Sequence, residues 1–304
     1  MAWNPTDEIQ IVAGTPPGGG LDRSARALAS AMAATGAIKV PVAVVNIGGE
    51  GGRRAWAHIE RQAGNAHVVG IGAPNIRADF LMGASTLDPD RFVPLAMLYS
   101  EYIAFLARAD TAYRTGQDLV DALVRDAGAV TVALSTSLGN SNHVAVAKVV
   151  RHAGADSRAP KIRVFDSAVE AVADVVAGHA QVGAVTAASA VKEVETGRLV
   201  CIGMSAPQRL AHPYAGSPTW VEQGVDCVVD SWRGLIGPPG LDRDQVSYWQ
   251  GVVAAAINTE AWRGELARHL WSGLHLDGPE LRDYLKREAD EMRAILGELG
   301  LLPK

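Results

Sequence analysis

Three loops of this 304-residue chain carry residue types suited to holding an anion. The first, Gly14-Thr15-Pro16-Pro17-Gly18-Gly19-Gly20-Leu21-Asp22, closes a short apolar run and opens a helical one. Glycine lets backbone amides approach a ligand, a helix start supplies unpaired N–H groups, and the two prolines stiffen the approach. Asp22 would repel an anion, so its place in the first helical turn assigns it to shaping the loop through nearby amides. The loop lacks the Gly-Lys-Ser/Thr of a P-loop, and Arg23 stands where a dinucleotide fingerprint needs its third glycine. Alone, such a loop reads equally as a binding site or as a tight strand-to-helix turn.

The second loop, Asn46-Ile47-Gly48-Gly49-Glu50-Gly51-Gly52, repeats the arrangement after the next apolar run. Two glycine-rich strand-to-helix loops in adjacent units fall at one edge of a parallel sheet, outside the carboxyl ends of its strands, where open α/β sheets bind ligands. Pro17, Gly18, Gly19, Gly20, Asn46, Gly48 and Gly49 are therefore candidate contacts, and solvated surface is expected for Arg53 and Arg54. The third loop, Ser135-Thr136-Ser137-Leu138-Gly139-Asn140-Ser141-Asn142-His143, concentrates hydroxyls, amides and helix-terminal N–H groups that suit recognition of a carboxylate or hydroxyl. Its candidates are Ser135, Thr136, Ser137, Asn140, Ser141 and His143. An enzyme would need Ser141 and His143 as nucleophile and base, but residues two apart on a helix do not face each other, and no GxSxG elbow surrounds the serine. Helix capping is the alternative for Ser141, and a partly buried structural hydrogen bond for His143.

The elements around these loops alternate. Short strands are expected at Ile9–Ala13, Val42–Val45 and Val68–Ala73, with helices from Leu21 and up to about Arg61. After Phe105–Ala107 a second set follows. It comprises a helix at Gln117–Arg125, a strand at Val130–Leu134, a helix at Asn142–His152 and a strand at Ile162–Phe165. A helix at Ala168–Ala177 and strands at Val182–Thr186 and Leu199–Met204 complete it, and Pro207 to Pro218 is the most linker-like stretch. Helices near Gln245–Asn258, Ala261–Leu270 and Pro279–Leu299 close the chain. This order argues for mostly parallel α/β sheets in two lobes, with the tail returning to the first. The expected division is 1–107 with 224–304, and 108–223.

Composition narrows the class. With 28 Lys+Arg against 33 Asp+Glu the formal charge is −5, and no basic stripe is present, so nucleic acid is not an expected partner. No apolar run is long enough to span a bilayer, and no basic segment precedes an apolar one as in a signal peptide. The start, Met1-Ala2-Trp3-Asn4-Pro5, reads like a mature N-terminus with an initiator Met before it, or else as a natural cytoplasmic start. Cys201 and Cys227 lie in apolar runs and are expected as buried free thiols; no metal-ligand spacing or cofactor motif accompanies them, so neither a metal nor a cofactor is expected.

Taken together, the motifs resemble the periplasmic solute receptors of tripartite tricarboxylate transporters, the Bug family. The resemblance runs from Trp3-x-Pro5 and Ile9–Asp22 through Val45-Asn46 with Gly48 to Gly52, and on to the Gly139–His143 loop. It continues through Gly178-His179-x-Gln181-Val182-Gly183, Gly197-Arg198-Leu199, Pro218-Thr219-x-x-Glu222-x-Gly224 and Trp232-Arg233-Gly234-x-x-x-Pro238-Pro239-Gly240. The Trp232 segment and the C-terminal helices look closest to the citrate-type branch. Asp166-Ser167 departs from the family's Gly-Gly; Asp166 either caps the next helix, the preferred reading, or faces the ligand and disfavours a polycarboxylate.

The resemblance implies a type II periplasmic-binding-protein fold, two α/β lobes joined by crossing hinge strands that close on a ligand. It implies a monomeric receptor that captures a small organic acid, a di- or tricarboxylate or a relative of one, for two integral-membrane transporter subunits. Ala73 and Pro74 with Asn75, and Thr186 and Ala187 with Ala188, would complete the site, and Trp232 would either wall it or pack as core. Arg77 is expected to be exposed and Arg233 structural. The alternatives are a ligand-presenting sensor partner of the same fold or an enzyme on a two-lobe fold.

Overall fold

The computed structural model describes residues 3–303. Met1 and Ala2 of the expected N-terminal motif lie outside the described residues, as does Lys304. In chain order the first elements are β1 (Ile9–Ala13), α1 (Gly20–Thr35), β2 (Val42–Asn46), α2 (Arg53–Glu60), β3 (Val68–Gly72), α3 (Asn75–Leu81) and β4 (Val93–Arg108). Then come α4 (Gly116–Asp126), β5 (Thr131–Ser135), α5 (Ser141–His152), β6 (Lys161–Phe165), α6 (Ala168–Val176), β7 (Val182–Thr186), α7 (Val191–Glu195) and β8 (Leu199–Met204). The last are β9 (Asp230–Gly237), α8 (Arg243–Ala256), α9 (Glu260–His269), β10 (Ser272–Leu276) and α10 (Gly278–Glu298).

The chain packs as two compact units, Met1–Ser100 with Trp232–Asp290, and Glu101–Ser231 with Glu291–Lys304. The division passes through β4, β9 and α10, each of which contributes residues to both. This differs from the expected 1–107 with 224–304 and 108–223 at every boundary. The tail does not return wholly to the first unit, because Ile295 and Leu299 are buried in the second unit's core with Leu119, Val144 and Ile202.

In the first unit β1 lies between β2 and β3, all parallel, with Val12 opposite Val45 and Ile11 opposite Val69. β9 then runs antiparallel to β3, with Gly72 opposite Gly234, and β10 runs antiparallel to β4. In the second unit β5 is parallel to both β6 and β7, while β7 and β8 each run antiparallel to β4. The sheets are thus mixed, where mostly parallel ones were expected. Antiparallel neighbours need no helical crossover, so their order is not announced by a β-α-β rhythm.

Local chemistry explains the elements that carry the loops. Leu21, Ala25, Leu28 and Met32 recur at helical spacing and are buried against β1, β3 and α8, and Gly36 ends α1 in a left-handed conformation at φ 62°. Ser24 shares a 2.6 Å hydrogen bond with the Tyr99 hydroxyl, and Tyr99 stacks on Trp271 at 4.0 Å, which fixes α1 to the sheet. In the second unit α4 starts in a capping box of Thr115 and Asp118, and Asn140 caps α5. The 207–218 stretch is not a linker: Tyr214 is fully buried there and donates its hydroxyl to the Ala187 carbonyl at 2.6 Å.

Candidate ligand-binding site

In the first unit the loops after β1 and β2 interlock. Asp22 is 2% exposed; its Oδ2 accepts from the Gly18 amide at 2.8 Å and its Oδ1 from Asn46 Nδ2 at 2.8 Å. Arg26 Nε donates to the same carboxylate at 2.9 Å, and Asn46 Nδ2 also donates to the Thr15 carbonyl at 2.9 Å. These donors, led by Arg26, hold the Asp22 carboxyl below its usual range although burial opposes them. Asp22 therefore spends its charge inside the loop, and Asn46 is the bolt between the two loops. Gly14 and Gly52 meet backbone to backbone: a Cβ on Gly14 would sit 2.9 Å from the Gly52 Cα.

The second loop has an unusual backbone. Gly49, Glu50, Gly51 and Gly52 all take positive φ, at 110°, 53°, 65° and 99°. Positive φ at successive glycines turns the backbone tightly, and successive N–H groups exposed in such a turn can form an anion-binding concavity. The amides of Gly48, Gly49, Glu50 and Gly51 have no hydrogen-bond partner among the described residues, nor do those of Gly20 and Leu21 at the start of α1. Pro17 and Gly18 are exposed and Gly19 half-buried beside them. Ala73 and Pro74 are buried at the end of β3, leading into α3, where Asn75 donates from Nδ2 to the Gly51 carbonyl at 2.7 Å. The first unit thus gathers its predicted residues at the carboxyl ends of β1, β2 and β3.

Trp232 is 5% exposed and packs with Met97 and Leu281. Its ring edge lies over Gly72, where a Cβ would come 3.5 Å from Cζ3, and its indole N–H has no partner among the described residues. Arg77 and Arg53 differ from expectation, while Arg54 is exposed as expected. Arg77 is only 15% exposed and is paired with Asp90, while Arg53 is tied to Asp79, Nη1 to Oδ2 at 3.1 Å. Arg233 donates from Nη1 to the Trp232 carbonyl at 2.9 Å.

In the second unit the loops after β5, β6 and β7 emerge at the carboxyl ends of three parallel strands. The Thr136 amide donates to the Phe165 carbonyl at 2.7 Å, which sets Asp166 beside the third loop. Asn140 Nδ2 donates to the Ser135 carbonyl and to Thr136 Oγ1, each at 2.7 Å, and Asn142 Nδ2 donates to Ser135 Oγ at 2.9 Å. Thr136 is held at φ 71°, a conformation costly for a β-branched residue. Thr136 is exposed, Ser137 half-buried, and the amides of Ser141 and Asn142 have no partner among the described residues. Thr186 Oγ1 lies 2.9 Å from Ser189 Oγ, and Ala187 is buried.

Two capping assignments are corrected. Asn140, not Ser141, caps α5, its Oδ1 accepting from the His143 amide at 3.2 Å; Ser141 is the first helical residue. Ser167, not Asp166, caps α6 by accepting from the Glu170 amide at 3.3 Å, and Asp166 is exposed. In both cases the cap falls to the residue with extended backbone immediately before the helix.

His143 is 5% exposed, and its Nδ1 accepts from the Gly139 amide at 3.1 Å. Burial depresses its pKa to about 4, so the ring is neutral with its proton on Nε2. No bond joins it to Ser141 among the described residues, and the Nδ1 lone pair that a base would use is occupied. Burial pushes both cysteine thiols up to about 12, far from a reactive thiolate. Both are free, as expected, although Cys227 lies in an irregular segment. Sequence reasoning missed Arg26 and Asp79, quoted Thr15 only as part of the first loop, and placed Asn75 at the site without foreseeing that it holds Gly51. The i, i+4 spacings of Asp22 with Arg26 and of Asn75 with Asp79 were the available signals.

A two-lobe α/β receptor with amide-lined turns at its strand ends is the class these observations define. The family model described as "Tripartite tricarboxylate transporter family receptor" matches residues 25–301, and the chain belongs to that family. No curated protein matches it in sequence. Among solved structures it is similar to a tripartite-family solute-binding protein from Polaromonas, at 23% identity and TM-score 0.79, covering 97% of this chain and 99% of that one. It is also similar to MatC from Rhodopseudomonas palustris with bound malate, at 20% identity and TM-score 0.76, covering 96% and 99%. A third, an R. palustris protein with adipate, shares 18% identity at TM-score 0.80 and covers 99% of both chains. These matches show the fold, the two-lobe arrangement of periplasmic binding proteins.

Proposed function

We propose that the chain is a periplasmic receptor that binds a small organic acid as its carboxylate and delivers it to the two membrane subunits of a tripartite transporter, acting as a monomer. The observation that carries this reading is the positive-φ turn at Gly49–Gly52 together with the start of α1, where six amides have no protein partner among the described residues. Several N–H groups converging on one carboxylate hold it without a full positive charge, which suits a chain of net charge −5. Within the second unit, taken by itself, the amides that open α5 and the Ser137 hydroxyl stand at the carboxyl ends of its parallel strands. The malate and adipate held by the two relatives point to a dicarboxylate. The neutral, occupied His143 and the two high-pKa thiols support a binding role without catalysis.

Isothermal titration with acetate, succinate, malate, adipate and citrate tests this. One of the dicarboxylates is expected to bind most tightly and to raise the melting temperature in proportion to the logarithm of its excess over Kd. A folded protein that binds none of the five overturns the reading.

A further inference from the structure

The free amides at Gly48–Gly51 belong to a backbone that has little to hold it. Within the turn the Gly52 amide donates to the Gly49 carbonyl at 3.1 Å and the Arg53 amide to the Glu50 carbonyl. Four positive φ values in succession include one at Glu50, where a side chain makes that conformation unfavourable. Such a turn keeps its shape only if something outside it does the holding.

α3 supplies that hold from one face. Asn75 and Asp79 are four residues apart and so lie one above the other. Asn75 Nδ2 donates to the Gly51 carbonyl at 2.7 Å. The Gly51 carbonyl and the Gly52 N–H belong to one peptide plane, so that plane is fixed at both ends. Asp79, 5% exposed, accepts from Arg53 Nη1 at 3.1 Å and secures the residue that follows the turn. A Cβ on Gly51 would lie 3.9 Å from Asp79 Oδ2 and 4.0 Å from Asn75 Nδ2, so both side chains reach the turn at the same residue.

We propose that Asn75 and the Arg53–Asp79 pair are positioning residues that hold the Gly48–Gly51 amides in their ligand-ready arrangement without touching the acid. This rests on reading that turn as part of the acid site. Ordering the turn in advance removes a cost that binding would otherwise bear.

The test compares the wild-type chain with Asn75→Ala, Asp79→Ala and Asp79→Asn, titrating succinate, malate, adipate and citrate into each. Amide hydrogen exchange at 48–51 is followed in the acid-free proteins. Affinity for whichever of the four binds best should fall about tenfold in Asn75→Ala and Asp79→Ala. Asp79→Asn, which keeps an acceptor for Arg53, should stay within about threefold of wild type. Exchange at the four amides should quicken in the two alanine variants before any acid is added, which loss of a direct ligand contact would not produce. If Asp79→Ala does not fold, Asn75→Ala, at a half-buried position, still decides the matter. Wild-type affinity or unchanged exchange in Asn75→Ala overturns the inference, as does an equal loss in Asp79→Asn and Asp79→Ala. A folded wild-type chain that binds none of the four acids overturns the receptor reading itself.

Discussion

Gly19 and Gly20 are neighbours, yet the structure demands glycine at only one of them. A Cβ on Gly19 would fall 2.5 Å from Thr15 Cβ and 2.6 Å from Thr15 Oγ1, and that hydroxyl accepts from the Asp22 amide at 3.1 Å. A Cβ on Gly20 would meet nothing within 4 Å. Gly19→Ala should therefore cost about 1–3 kcal/mol in urea unfolding and weaken acid binding in titration. Gly20→Ala, in the first turn of α1, should stay within about 0.5 kcal/mol of wild type. His143 makes a second prediction. Its folded pKa of about 4 lies below the ordinary 6.5, so the unfolded chain binds the proton more readily between those values. The stability due to neutral His143 is complete above pH 6.5 and is lost as pH falls toward 4, by up to about 3 kcal/mol. Urea midpoints between pH 7 and pH 4.5 should fall less steeply in His143→Gln than in wild type.

At the scale of the element, α5 depends on one side chain for two tasks. The Asn140 oxygen caps the helix, and its amide nitrogen ties down Ser135 and Thr136. Asn140→Ala should cost about 2 kcal/mol, the upper end for a lost cap, and should weaken acid binding by releasing the Thr136 backbone. Ser167→Ala removes only a 3.3 Å cap from an exposed helix start, and about 1 kcal/mol is expected for it. Denaturant titration of both variants measures the contrast.

At the scale of the molecule, α10 matters because it contributes to both units. Its last turns bury Ile295, with Leu299 just beyond its end, in the second unit's core and place Glu291 2.7 Å from the ammonium of Lys148, which is 6% exposed. Removing Glu291 leaves that ammonium, among the described residues, with the Val228 carbonyl alone, at 3.5 Å. Because Glu291 is itself 53% exposed, Glu291→Ala should cost about 1–3 kcal/mol, below the full penalty for breaking a buried pair. Glu298 pairs with Arg151 at the surface, and Glu298→Ala should change stability by less than about 1 kcal/mol. Thermal melts of the two variants separate these cases.

What could be read without coordinates was whatever is encoded over a few neighbouring residues. β1 spans Ile9–Ala13 as expected, α1 buries the expected face, and the three polar loops all sit at strand ends. Helix period, glycine and cap residues are local signals. β4 was legible only at Phe105–Ala107, because its 16 residues are buried on nearly every position and so show no alternation. α3 is short, and its preceding proline reads as a loop. Tertiary structure alone decided that Asn46 bolts to Asp22, that Asn75 and Asp79 hold a turn 24 and 26 residues earlier, and that the tail of α10 belongs to the second unit. Contacts at that separation depend on which elements become neighbours in space, and no local pattern records them. The sequence thus supplied the groups proposed to hold an acid, and the packing of β1, β2 and α3 decided which of their amides lack a protein partner among the described residues.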